Sequence, residues 1–263
     1  MNHQHRHKHL LRLLAEHGAA TIPELSHWLG VSPATVRRDI RLLDTAHQLR
    51  RTHGGARQAE APQAPSHGTA FERGLLTFTD RKRAIARRAA ALCADGDTVL
   101  IGGGSTTFHL ADHLALRQMR VLTNSFALAR QLVATSSNEV ILSGGKIYPE
   151  HGIILSPFDS EAVQHCYASK LFMGARCLSA LGVMEEEPLL IQAGRRLIGQ
   201  AQQLIVLADS SKFGRRGGMF LCALDKIACV ISDTGAPDSA VQMLERAGVR
   251  VVLVDPEDRP PAH

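Results

Sequence analysis

The chain has few aromatic residues, no pattern of paired cysteines and no long hydrophobic run. One Trp, two Tyr and eight Phe make up 4% of 263 residues, so any core must be built mainly from aliphatic side chains. The five cysteines, Cys93, Cys166, Cys177, Cys222 and Cys229, are odd in number and scattered, and no two have Cys-x-x-Cys spacing. That excludes a disulfide framework and a structural thiolate zinc site. No uninterrupted apolar stretch reaches the roughly 20 residues that span a bilayer. The polar opening MNHQHRHKHLLRLLAEHG has no apolar core of a secretory leader. The expectation is a cytoplasmic protein with no membrane partner.

Acidic residues are scarce in one place. Up to Arg57 only Glu16, Glu24, Asp39 and Asp44 stand against nine cations, a surplus of five that equals the net charge of the whole chain. The remaining 21 basic and 21 acidic residues cancel. A short basic piece attached to a neutral body fits a piece that meets a polyanion. The length is ample for a small domain plus a medium one. Residues 1–56 read as the basic head, 57–70 (RQAEAPQAPSHGTA) as a linker with little to bury, 71–256 as a larger domain and 257–263 as a tail.

Within the head, Leu10, Leu13 and Leu14 form an apolar stripe that Gly18 ends. Thr21-Ile22-Pro23-Glu24 has the form of a capping box with proline in the first turn, opening a helix through Leu25 and Trp28 to Leu29. Gly30-Val31 supplies a tight turn, and Ser32 is placed to cap a third helix starting at Pro33. There Val36, Ile40 and Leu43 share one face, while Thr35, Arg37, Arg38 and Arg41 lie off it. Two helices joined in this way present a small, basic face suited to the major groove. Pro33, Ala34 and Thr35 are small enough for close approach, and Ser32 with its capped amides can face a phosphate. Arg37, Arg38 and Arg41 can each pair with guanine or hold a phosphate, and the spacing does not assign which does which. Arg50, Arg51 and His53 fall in a short β wing that reaches the flanking backbone.

Beyond the linker, apolar runs at 98–101, 120–123, 140–143, 170–173, 204–208, 227–232 and 249–254 alternate with helical stretches at 106–116, 125–134, 188–201 and 238–247. That alternation predicts an α/β domain with a largely parallel sheet. The run Gly102-Gly103-Gly104-Ser105-Thr106-Thr107 between a strand and a helix aims backbone amides at an anion, a weak signal by itself. It is a poor dinucleotide site. Thr107 replaces the third glycine, and Thr123-Asn124 ends the next strand without an acid for a ribose. Thr123-Asn124-Ser125, Ser143-Gly144-Gly145-Lys146 and Asp209-Ser210-Ser211-Lys212 add polar loops suited to a sugar phosphate at further strand ends.

The segment GAATIPELSHWLGVSPATVRRDIRLLDTAHQLRRTHGGA resembles the DNA-binding half of the DeoR family of bacterial regulators, above all in VSPATVRRDI and RRTHGGA. Phe71, Arg73 and Lys82-Arg83-Ala84-Ile85-Ala86 are similar to the family's connector, and the later motifs follow in the family's order. The resemblance implies a winged helix-turn-helix head and a sensor domain like ribose-phosphate isomerase and glucosamine-phosphate deaminase. It implies operator DNA and a phosphorylated sugar or sugar acid as partners, and assembly as a homo-oligomer, dimer or tetramer. Gly104, Ser105, Thr106, Asn124, Gly144, Gly145 and Lys212 are the effector contacts it implies, with Asp209 either a further contact or a cap of its loop.

Three departures stand out. His47 replaces the usual glycine after the third helix, Gly102 stands where many members have an acid, and Leu190–Arg196 lacks their Glu/Lys pair. ILSPFDSEAVQ together with LADSSKFGRRGGM is closest in appearance to the branch acting in ascorbate utilisation.

Other features carry less. His3, His5, His7 and His9 could pair on a helix to hold metal, but the absence of a nearby acid or thiol argues for no metal site. Glu185-Glu186-Glu187 before Pro188 reads as a loop or helix start. Arg81, Lys82, Arg83, Arg87 and Arg88 read mostly as a solvated helix face, with contact to DNA as the alternative. An isomerase or deaminase carrying a DNA-binding head is the alternative function. No base and proton donor stand out for it, so the expectation is a regulator without enzymatic activity or cofactor.

Overall fold

The computed structural model describes residues 3–45, 48–52, 54–58, 68–156, 166–214 and 218–257. The chain divides into two units, Met1–Ser66 and His67–His263.

The first unit runs α1 (His3–His17), β1 (Ala19–Thr21), α2 (Ile22–Leu29), α3 (Pro33–Thr45), β2 (Leu49–Thr52) and β3 (Gly55–Gln58). Thr21 caps α2 in a full capping box with Glu24, and Gly30 ends it at φ 64°, a left-handed conformation that glycine adopts without steric cost. Leu10 and Leu14 of α1, Leu25 of α2, and Val36, Ile40 and Leu43 of α3 close on Leu49 and Ala56 in one core. Full burial of each such leucine or isoleucine stabilises the head by about 1.5–3 kcal/mol. His17 stacks on Trp28 at 4.6 Å, tying α1 to α2. The wing is a three-stranded antiparallel sheet in the order β1-β3-β2.

Two positions assigned to the linker by composition belong to this wing: Arg57 pairs with Ala19 and with Arg50, and Gln58 with Leu49. At the other end of that segment, Thr69 makes a capping box with Glu72 and opens α4 (Ala70–Leu76). Backbone pairing at Arg57 and Gln58 and capping at Thr69 are features that a Pro/Ala/Gln composition does not reveal.

The second unit continues with α5 (Thr79–Ala90), β4 (Thr98–Ile101), α6 (Ser105–Phe108), α7 (Ala111–Leu114), β5 (Arg120–Thr123), α8 (Phe126–Thr135), β6 (Glu139–Leu142), β7 (Lys146–Tyr148), β8 (Ile153–Leu155) and β9 (Ala168–Gly174). It ends with β10 (Cys177–Ser179), β11 (Gly182–Glu185), α9 (Pro188–Ile198), β12 (Ala201–Leu207), β13 (Met219–Cys222), β14 (Ile227–Asp233), α10 (Asp238–Arg246) and β15 (Arg250–Val254). Seven strands form one sheet, β15-β14-β12-β9-β4-β5-β6, and every pairing in it is parallel. These are the seven apolar runs of the sequence.

Both sheet faces are buried. Leu100, Leu122, Leu171, Leu204 and Val206 pack with α9 and α10 on one side. Val99, Ile101, Val121, Phe172, Ile205 and Ile231 pack with α5, α7 and α8 on the other. A parallel sheet covered on both faces needs near-continuous apolar strands. The helix expected over 106–116 breaks at His109-Leu110 into the single turns α6 and α7. The hairpin β7–β8 and the antiparallel side sheet β10-β11-β13 have no counterpart among the sequence expectations.

Candidate functional site

Basic character in the first unit concentrates on α3. Ser32 Oγ accepts from the Thr35 amide at 3.3 Å and lies 2.9 Å from its hydroxyl, so the cap expected at Ser32 is present. Ser32, Pro33, Ala34, Arg37, Arg38 and Arg41 are exposed and Thr35 is half-buried, while Val36, Ile40 and Leu43 hold the opposite face in the core. The 13-residue α3 therefore offers its capped amino end and three guanidinium groups to one side. On the wing, Arg51 is exposed and its backbone amide donates to Asp44 at 3.1 Å, fixing β2 against the end of α3. Arg50 lies opposite Arg57 in the ladder; His53 lies outside the described residues.

Asp39 is the acid that composition leaves unexplained. It lies on the inner side of α3 and is 1% exposed. Arg6 of α1 donates to both of its oxygens, from Nε to Oδ2 at 2.6 Å and from a terminal nitrogen to Oδ1 at 3.1 Å, and His7 Nε2 lies 3.1 Å from that same Oδ1. Burial opposes its charge, but the bonds from Arg6 and His7 outweigh that cost and hold the carboxyl below the usual carboxylate range. A depressed folded-state pKa stabilises the fold above the unfolded value of about 3.9 and ceases to do so as pH falls through the folded value. Asp39→Asn is therefore expected to unfold at a lower temperature than wild type near pH 7. That gap should close as thermal melts are repeated toward pH 3, and a gap independent of pH would refute the clamp. His7, one of the alternating histidines, is thus engaged in the head. Among the described residues no group of His, Cys, Asp or Glu is arranged to hold a metal ion.

In the second unit the carboxyl ends of β4, β5, β6 and β12 carry the predicted effector residues. Gly104 and Ser105 start α6 and are half-buried, and Thr106 is buried. The Gly103 amide donates to Asn124 Oδ1 at 2.8 Å, joining the loop after β4 to the loop after β5. The Asn124 carbonyl accepts from Ile154 at 2.8 Å, which folds the β7–β8 hairpin against the same place. Gly144 and Gly145 are exposed on the loop leading to that hairpin. Gly145 has φ 134°, and a Cβ there would stand 2.4 Å from the Leu155 carbonyl, so its identity follows from hairpin packing. This edge loop leaves the sheet four strands from β12, roughly 19 Å away at ordinary strand spacing. Ser105, Asn124 and Lys212 are the more central group.

In the loop after β12, Asp209 caps its own turn. Its Oδ1 accepts from the Ser211 amide at 3.0 Å and from the Ser211 hydroxyl, which caps the turn carrying Lys212. Its Oδ2 is fully buried and has no hydrogen-bond partner among the described residues. The group facing this loop is one that sequence reasoning does not single out. Lys82 is buried at 3% exposure. Its ammonium donates to Ser105 Oγ at 3.0 Å and to the Gly74 carbonyl, and it lies within electrostatic reach of Asp209 and Lys212. Of the α5 cations expected on a solvated face, Arg83 is exposed, Arg81, Arg87 and Arg88 are half-buried, and Arg81 reaches Ser210 Oγ at 2.8 Å. Helical periodicity holds the signal, because 82 shares a face with Ile85, Ala86 and Ala89 in the core. A separate cleft at the opposite, amino ends of the strands is lined by Thr98, Gln118, Arg120 and Glu139 and contains none of these groups.

Residues 6–61 match the DeoR-like helix-turn-helix domain, and residues 77–234 match the DeoR C-terminal sensor domain. The chain belongs to the DeoR family. The HTH-type transcriptional regulators UlaR of Shigella dysenteriae and of Escherichia coli K12 are each 34% identical to it over 255 residues, covering 97% of this chain and 100% of theirs. Among solved structures, ribose 5 phosphate isomerase A from Neisseria gonorrhoeae aligns with 59% of each chain at 18% identity and a TM-score of 0.38. The eIF2B delta subunit from Chaetomium thermophilum aligns with 58% of this chain and 56% of its own at 19% identity and a TM-score of 0.40. As a DeoR-family protein the chain is a DNA-binding transcriptional regulator of sugar catabolism with a sensor domain. Its relatives bear the names of regulators, so the enzyme alternative is not favoured. No helix among the described residues is long and apolar enough to cross a membrane.

Proposed function

We propose that this DeoR-family protein is a cytoplasmic repressor whose operator affinity is set by a phosphorylated sugar or sugar acid bound in the sensor unit. The observation that carries the DNA half is the exposed Arg37, Arg38 and Arg41 on a capped helix whose other face is core. Ser32, Pro33, Ala34 and Thr35 bring that helix end to the groove, and Arg50, Arg51 and His53 of the wing region hold the flanking backbone. Two heads paired through a homo-oligomer, dimer or tetramer, read half-sites about 34–36 Å apart. Support for the effector half comes from Lys82 of α5, which reaches Ser105 after β4, from Lys212 after β12, and from an Asp209 carboxylate oxygen with no hydrogen-bond partner among the described residues. A phosphomonoester lies against Ser105, Thr106, the Gly104 backbone and Lys212, Asn124 and Asp209 accept sugar hydroxyls, and Gly144 and Gly145 border the site.

Effector coupling of this kind amounts to about 1–3 kcal/mol, ~5- to 150-fold in operator affinity. The test is fluorescence anisotropy of the full chain on fragments of its own promoter region, with and without glucose 6-phosphate, 6-phosphogluconate, its lactone and their unphosphorylated forms. Footprint-sized specific binding that shifts only with phosphorylated compounds is the expected result. Binding to all duplexes alike at every salt concentration refutes the operator reading, and tight binding of an unphosphorylated sugar refutes the phosphate reading.

A further inference from the structure

Lys82 is the buried lysine of the described chain, and its environment is unusual for a buried cation. Such charges normally sit against a carboxylate. Here the ammonium donates to two neutral oxygens, Ser105 Oγ and the Gly74 carbonyl. The charged and titratable groups facing it are Asp209 and Lys212 from the loop after β12 and His109 from the turn between α6 and α7. None of them makes an ion pair with it among the described residues. Burial pushes the ammonium down to about 8, with Asp209 pulling upward and Lys212 pushing further down. The missing element is an anion.

The second contact of Lys82 leads elsewhere. Gly74 belongs to α4, the helix that follows the stretch joining the two units. The same helix is held by Glu150, which accepts from the Ala70 amide at 3.1 Å, and by Phe71 edge-on to Phe108 of α6 at 5.8 Å. Gly74 also packs so closely on Ser105 that a Cβ there would stand 3.0 Å from its hydroxyl. So α4 rests on the very loop that carries Ser105.

We infer that Lys82 is a second anion-binding cation of the sensor site and the positioning residue through which occupancy of that site reaches α4. A phosphate or carboxylate oxyanion beside Ser105 supplies the absent counter-charge and draws the ammonium from the Gly74 carbonyl. The seat of α4 then changes at its carboxyl end. This rests on the site proposed above and adds to it a residue, a proton and a route. Binding requires the ammonium form, so it takes up a proton at pH 8 and weakens as pH rises further. A phosphomonoester is already a dianion there, because its second ionisation lies near 6. His109 and His113, both held below 6.5 by burial, are already neutral.

Calorimetry of the full chain at pH 8.0 with inorganic phosphate and with 6-phosphogluconate, each in two buffers of different ionisation enthalpy, tests this. Wild type is expected to take up a fraction of a proton per ligand, as follows for a group that titrates near that pH. Lys82→Met should lose at least tenfold in affinity together with the proton uptake. Lys82→Arg should regain affinity without uptake, since a guanidinium stays charged. Hydrogen exchange of amides 70–76 should respond to ligand in wild type and fall silent in Lys82→Met. Lys82→Met binding within twofold of wild type, or wild-type binding with no proton uptake, overturns the inference; the second measurement decides it even if the methionine variant does not fold. If Lys212→Ala loses binding while Lys82→Met keeps it, the site stands and only the role of Lys82 falls. If wild type binds neither probe, the site itself falls.

Discussion

Lys212→Ala is expected to leave operator affinity at its wild-type value and to remove the influence of sugar phosphates on it. Lys212 ends the turn after β12, with its amide bonded to the Asp209 carbonyl at 2.9 Å and the Asp209 carboxylate capping the same turn. The turn is held by these Asp209 bonds, so truncation is expected to take away charge and leave the loop folded. Removing one partner of a desolvated charge pair costs about 2–5 kcal/mol of binding, which makes the effector ineffective at concentrations that saturate wild type. The head is a separate unit with its own core, so its hold on DNA persists. Calorimetry with 6-phosphogluconate and anisotropy on operator DNA measure the two halves separately. A Lys212→Ala protein that still responds normally would move the phosphate away from the β12 loop.

Arg38→Ala should weaken operator binding by about 1–3 kcal/mol if the residue reads a base. Arg38 is exposed and borders a shallow cleft with Arg6, Ala34, Thr35 and Asp39. Arg6 and His7 hold the neighbouring Asp39 carboxylate inward, on a different face of the helix from the exposed Arg38. Without a guanidinium on the base edge, discrimination relaxes at one base pair. Without one on a phosphate, affinity falls evenly across sequences and the salt slope flattens by about one unit. Anisotropy against a set of single-base operator variants at several salt concentrations separates the two. Unchanged affinity with an unchanged slope would exclude Arg38 from the interface.

Much of this architecture is legible in the sequence, and the reasons are local. The capping box at Thr21, the turn at Gly30 and the cap at Ser32 are interactions over three or four residues, so spacing alone reveals them. The seven parallel strands are legible because a sheet buried on both faces needs unbroken β-branched and aliphatic runs. The helix after β4 is shorter than its pattern suggests, because the apolar positions continue across His109-Leu110 while the chain breaks into two turns there. The wing is longer than composition suggests at Arg57 and Gln58, whose pairing partners lie up to 38 positions away at Ala19.

Residue types, their order and their short-range spacing were enough to establish a basic helix-turn-helix head, a neutral parallel α/β body and membership of a family of regulators. Packing between distant segments settled the rest: Arg6 and His7 reaching Asp39, Lys82 turned inward to Ser105 and Gly74, and one oxygen of Asp209 left without a donor among the described residues. A charged side chain looks solvated in sequence unless its helical face is traced into the core. Whether it meets a partner there depends on which strand ends the sheet order brings alongside it.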